Sequence, residues 1–162
     1  MNAIGWGPYS QLNVVGSTIE NVPSIMSPPI VVQSSITNTQ AEITWSALTG
    51  ANTGGSNVVI TSYDIQYSLD STNWINLASG LTTTSYTQTG LSGGTNLYYR
   101  VRAENKYGPA ASYSGASIMI TTSQAPATPT PPTVLQDGTY LTITWTQPFD
   151  NYAPITGYAI LI

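Results

Sequence analysis

Apolar and polar residues alternate with a period of two along much of this chain. In the longest case Leu97, Tyr99, Val101 and Ala103 share one face, while Tyr98, Arg100, Arg102 and Glu104 share the other. Such a segment is a strand with one dry face and one wet face. Ala41, Ile43 and Trp45 alternate with Glu42 and Thr44 in the same way, and Tyr63, Ile65 and Tyr67 alternate with Asp64, Gln66 and Ser68. Shorter strands are predicted at Ile30 to Gln33, Trp74 to Leu77, Ser85 to Thr87 and Ala116 to Thr121. Turn residues separate them: the Gly-rich stretch 49–57, Asp70 to Asn73, and Gly90 to Gly94. No segment carries a helical period. Short strands with closely spaced turns predict an all-β, seven-stranded antiparallel sandwich.

The flanks read as pieces of the same design. Residues 1–10 hold turn residues Gly5, Gly7 and Pro8, and Leu12 to Ile19 reads as one strand. Two Pro-rich stretches follow, at 20–29 and at 123–133, which are extended and semi-rigid linkers. After the second come Val134 and Leu135, an Asp137-Gly138 turn, the alternation Leu141, Ile143, Trp145, and a strand expected from Tyr158 to Ile162. Comparing the chain with itself explains this layout. Asn2 to Gly5 matches Asn105 to Gly108, Val22-Pro23 matches Ala125-Pro126, and Pro28-Pro29 matches Pro131-Pro132, all 103 positions apart. Ile43-Thr44-Trp45 returns as Ile143-Thr144-Trp145, and Ile60 to Tyr63 returns as Ile155 to Tyr158, with the spacing shortened to 100 and then 95. The lost residues fall in two loops, where length varies most freely. The expected organisation is a tandem array: residues 1–21 the end of one repeat, 22–124 a complete repeat, and 125–162 the start of another.

The complete unit resembles a fibronectin type III domain. The resemblance rests on the Pro at its start, Ile43 to Trp45, the Tyr63, Ile65, Tyr67 alternation, Thr84 to Leu91, and Tyr99 to Asn105 with the Gly-Pro that follows. Residues 2–10 resemble the turn after the long strand in a preceding copy. The resemblance implies two sheets, with Ala41, Ile43, Trp45, Tyr86 and Leu91 facing Tyr63, Ile65, Tyr67, Leu97, Tyr99 and Val101. Trp45 would be the centre of the core. It also implies that recognition residues, where present, lie in the turn Asn105 to Ser112. One position departs from the family: a tyrosine that ties a corner of the sandwich to backbone is replaced by Leu97, so that hydrogen bond should give way to apolar burial.

Charge narrows the function classes. The chain carries three basic residues against seven acidic ones, a formal net charge of −4. Nucleic acid and anionic membrane surfaces both require clustered Lys or Arg, so neither is expected as a partner. No apolar run is long enough to span a bilayer, and residues 1–20 lack the basic start and apolar core of a signal peptide. Cysteine and histidine are both absent, which removes thiol chemistry and the commonest metal ligand and general base. No cofactor is expected.

Candidate chemistry is sparse. Glu42, Asp64, Asp70 and Glu104 are expected at solvated or turn positions, without the facing geometry of a hydrolytic pair. Asp70 and Asn73 do not match a calcium loop. All three positive charges, Arg100, Arg102 and Lys106, fall within Tyr98 to Pro109. Two accounts fit them: a small binding patch, or a cross-strand ladder with Glu104, Glu42, Asp64 and tyrosines such as Tyr98. Tyr107, Tyr113 and Trp74 would permit protein or carbohydrate contact. The expectation is a non-catalytic structural, adhesion or protein-interaction module of a large multidomain protein, outside the cell or at its surface. Its partners would be other proteins or neighbouring repeats. Two alternatives stand beside it: a spacer in a secreted polysaccharide-acting enzyme, and the ectodomain of a receptor-type signalling protein.

Overall fold

The computed structural model describes residues 3–6 and 19–161. The strand expected at Leu12 to Ile19, and most of the turn-like stretch 2–10, lie outside the described residues. Ten strands are seen within them: β1 (Ile30–Val31), β2 (Gln40–Thr44), β3 (Ile60–Ser68), β4 (Ile75–Leu81), β5 (Ser85–Thr89), β6 (Asn96–Asn105), β7 (Gly108–Pro109), β8 (Ile120–Thr121), β9 (Thr133–Asp137) and β10 (Tyr140–Thr144). Strands β1, β2 and β5 form one antiparallel sheet, and β4, β3, β6 and β7 form the other, with β8 also paired to β6. The fold is an immunoglobulin-like β-sandwich.

The alternation read from the sequence is the one the sheets use. On β6 every second residue from Leu97 to Asn105 is buried and those between are half-covered. Ala41, Ile43 and Trp45 from one sheet meet Tyr63, Ile65, Leu97, Tyr99 and Val101 from the other in a single core. Trp45 sits edge-on to Tyr63, with ring centroids 5.7 Å apart, an arrangement that suits the aromatic quadrupoles. Leu97 is buried opposite Ile120, as expected once the corner tyrosine is lost.

Several strands differ from expectation. The first pairs only over Ile30–Val31, because the chain then tightens into a 3₁₀ turn at Gln33–Ser35. Strand β4 starts one residue late and runs on to Leu81. The strand expected at Ala116 to Thr121 pairs as a ladder only at Ile120–Thr121. Before that point the chain runs beside β6 with too many residues for a regular register. Ser114 and Ser117 bridge the mismatch. Their amides donate to the Val101 and Tyr99 carbonyls, and their hydroxyls accept from the Val101 and Tyr99 amides. Each hydroxyl stands in for a backbone carbonyl, so no buried amide of β6 is left unpaired there. Residues 158–161 form no strand.

After the linker, β9 and β10 make a hairpin through Gly138, whose φ of 60° fits the tight turn. Its register repeats that of the complete domain: Val134 faces Ile143 as Val31 faces Ile43, and Thr133 faces Thr144 as Ile30 faces Thr44.

Candidate interaction face and linker clamps

The outer face of the larger sheet carries a polar ladder set by strand register. Strands β3 and β6 pair Ser62 with Glu104, Asp64 with Arg102, Gln66 with Arg100, and Ser68 with Tyr98. Three of these rungs are side-chain hydrogen bonds. Arg102 donates through Nε and Nη2 to Asp64 Oδ2 at 2.9 and 2.8 Å. Arg100 donates to Gln66 Oε1 at 2.9 and 2.7 Å, and Ser62 donates to Glu104 Oε2 at 3.1 Å.

Two aromatic rings cover the rungs. The Arg100 guanidinium lies 4.3 Å from the Trp74 ring and 4.7 Å from the Tyr113 ring, and Arg102 lies 4.6 Å from Tyr113. The cross-strand ladder is therefore present, but its rings are Trp74 and Tyr113, not Tyr98. Tyr113 reaches the ladder because the serine-bridged segment brings it back over β6. Enclosure lowers the Arg100 pKa and raises that of Tyr113, in each case mainly because burial disfavours the charged form.

Two expectations about the acids fail here. Asp64 is only 6% exposed, where a solvated position was expected. The Gly80 amide donates to its Oδ1, Arg102 occupies its Oδ2, and Tyr113 lies over the pair. Glu42 is no member of the ladder, since it sits on β2 in the opposite sheet, paired with Thr87. Asp70 is exposed as expected. Its carboxylate accepts from Ser68 Oγ, the Thr72 and Asn73 amides and Asn73 Nδ2, which holds its pKa well below the ordinary value. Among the described residues no group of three or more acidic side chains could hold a metal ion.

The turn after β6, where recognition residues were expected, touches the linker through Asn105, Lys106 and Tyr107, while Lys106 and Tyr107 themselves stay exposed. Asn105 is buried and donates from Nδ2 to the carbonyls of Asn21 and Thr53, 2.8 Å each. Its Oδ1 accepts the Tyr107 amide. Lys106 Nζ lies 2.7 Å from Glu20 Oε2, and the Tyr107 hydroxyl donates to the same oxygen. These contacts lower the Glu20 pKa and raise that of Lys106, with the mutual hydrogen bond the first cause in both. All three cations are thus engaged within the chain. Sequence reasoning missed this clamp, although Asn2 and Asn105 had emerged as repeated positions.

Backbone bonds complete the clamp. The Asn21 amide donates to the Gly54 carbonyl at 2.8 Å and the Ser24 amide to the Asn52 carbonyl at 2.9 Å. At the second linker the Gln124 amide donates to the Asn151 carbonyl at 3.2 Å and the Ala127 amide to the Phe149 carbonyl at 2.9 Å. The two pairs correspond position for position, 103 apart on the linker and 97 apart on the loop.

The fibronectin type III domain model matches residues 27–118. This chain belongs to the fibronectin type III domain family. Solved structures agree. A crystal structure of titin domains is 26% identical, with a TM-score of 0.55, covering 65% of this chain and 34% of that one. The FN1-FN3 domains of chicken CNTN1 are 25% identical, with a TM-score of 0.51, covering 76% of this chain and 41% of that one. Among curated proteins, Chitinase A1 of Niallia circulans is 30% identical over 153 residues, 90% of this chain. The chain spans 19% of that relative's length.

Proposed function

We propose that this chain is a segment of a tandem array of fibronectin type III repeats, working as a non-catalytic spacer and protein-contact module in a larger protein outside the cell or at its surface. The observation that carries this reading is the recurrence of the linker clamp. Residues 21 and 24 grip the loop at 52–54, and residues 124 and 127 grip the loop at 149–151, through the same pair of backbone bonds. A linker tied to the domain it enters holds successive modules at a defined spacing, which a free Pro-rich tether does not. The engaged charges favour the same reading, because the arginine ladder and the Lys106–Glu20 pair occupy all three cations. Residues 1–21, 22–124 and 125–162 are then the end of one repeat, a whole repeat and the start of the next. Among the described residues no helix is long and apolar enough to cross a membrane.

The alignment with Chitinase A1 favours one setting for such a spacer, a polysaccharide-acting enzyme whose catalytic part lies elsewhere. It extends over 153 residues, well beyond the stretch matched by the domain model. Incubating the purified chain with insoluble chitin and with soluble chitooligosaccharides tests both points. A spacer releases no new reducing ends, and release would overturn the non-catalytic reading. Retention on chitin without cleavage would assign the exposed aromatics to carbohydrate contact.

A further inference from the structure

The two linker clamps differ in the residues of the gripped loop, and that difference falls between the domains. In the complete repeat the gripped loop carries Gly54 and Gly55, with φ of 106° and 145°. A Cβ on Gly54 would lie 2.0 Å from the Asn21 carbonyl oxygen, and one on Gly55 would lie 3.3 Å from Glu20 Cγ. Glycine is thus required for the linker to pass close at the first position. At the second clamp the equivalent positions are Asn151 and Tyr152, with φ of 51° and 64°. Asparagine tolerates the left-handed region, but a bulky tyrosine is rarely found there. A residue held in that conformation persists where its surroundings over-determine it.

Those surroundings belong to two different repeats. On its own loop Tyr152 stands edge-on to Phe149, with centroids 5.6 Å apart, and its amide donates to Asp150 Oδ1. Asn151 Nδ2 donates to the Ala125 carbonyl. On its other side Tyr152 lines a crevice with Gln33, Ile36, Met119, Ile120 and Thr121, all at the linker end of the complete domain. Tyr152 remains 62% exposed, so it borders the crevice and does not plug it.

Resting on the tandem reading above, we propose that Tyr152 is an orienting wedge that fixes the angle between residues 22–124 and residues 125–161. A glycine there, as in the preceding copy, would keep the linker bonds and lose the wedge. Inter-domain contacts within one chain are commonly small, and relative motion is the default unless something opposes it. The array then has unlike joints. The first is clamped by the Asn105 side chain from within the complete domain, and the second is braced by an aromatic reaching back to the domain before it.

Residual dipolar couplings on the whole chain test this. In the natural sequence the amides of 27–121 and of the hairpin 133–144 should fit one alignment tensor. In Tyr152→Gly they should need two, while chemical shifts within the complete domain persist. Glycine suits a φ of 64° better than tyrosine does, so misfolding of the loop is not the expected result. One tensor in the variant, or two in the natural chain, would overturn the wedge and leave the spacer reading standing.

Discussion

The chain forms the same two-strand pairing twice, once beneath an opposing sheet and once without one among the described residues. The first two paired strands adopt the same register in the complete repeat and after the second linker. The Trp45–Tyr63 contact returns as Trp145–Tyr158, with centroids 5.7 and 5.4 Å apart. Burial does not return. Trp45 and Tyr63 are each 6% exposed, but Trp145 is 39% and Tyr158 46% exposed. In the complete repeat β6 covers this layer with Leu97, Tyr99 and Val101, and no strand covers it at 129–161. Pairing, turn and aromatic contact are local and need only the local sequence. The dry interior needs the opposing sheet, and most of the hydrophobic stabilisation lies there.

The largest expected effect separates the two regions by that burial. Trp45→Ala should destabilise the complete repeat by about 3–5 kcal/mol, the usual cost of emptying an aromatic site in a packed core. A loss of that size is comparable to the whole stability of a small domain. Trp145→Ala in the same full chain should shift the main urea transition by less than about 0.5 kcal/mol, as surface substitutions do. Equal losses from the two variants would mean that the second aromatic contact already supports the folded core, and the comparison would break.

How much of this was legible in the sequence follows the same division. The inward face of β6, the central place of Trp45 and the burial of Leu97 come from period-two spacing and from the family resemblance, and both report on strands. The burial of Asp64 was hidden. By alternation it faces solvent, and only the fold brings Tyr113 and Arg102 over it. The rings of the ladder were misassigned for the same reason: Tyr98 adjoins the arginines in sequence, but its β3 neighbour is Ser68. The serine bridges were invisible, because alternation presumes a regular amide-to-carbonyl ladder and Ser114 and Ser117 replace half of it. The clamp around Asn105 left a trace in the repeated asparagine, but that trace carried no hint that the partner would be the linker.

The second effect tests a feature that belongs to one copy alone. At the position that corresponds to Asp64 by the 95-residue offset stands Ala159, which offers no carboxylate to an arginine. Arg102→Leu leaves the Asp64 carboxylate buried and unpaired. Exposed pairs contribute about 0–1 kcal/mol and breaking a buried pair costs about 3–5. With Arg102 still 30% accessible, an intermediate loss of roughly 2 kcal/mol is expected. Asp64→Ala, which copies the residue at position 159, should recover much of that loss in the double variant. A coupling near zero in the double-mutant cycle would show that the ladder contributes nothing beyond its hydrocarbon packing.

The smallest effect concerns acid stability and the turn at Asp70. Four donors converge on this carboxylate and hold the turn in which Ser71 has a φ of 62°. The Asn73 amide is the leading cause of its lowered pKa. Because the folded-state value lies below the ordinary 3.8, the folded protein holds the charged form more tightly than the unfolded chain does. The contribution is therefore present above the ordinary value and is lost as pH falls through the folded one. The Thr72 and Asn73 amide shifts should titrate together, with a midpoint below 3.8, while the amides of the 133–144 hairpin do not follow them. Asp70→Asn should abolish the transition and flatten the acid limb of the stability curve, with little change at neutral pH beyond loss of the turn bonds. The carboxylate is exposed, so the gain in acid tolerance is modest. A midpoint at the ordinary aspartate value would mean that the turn bonds do not discriminate the charged form, and that the finished repeat owes its acid sensitivity to other carboxylates.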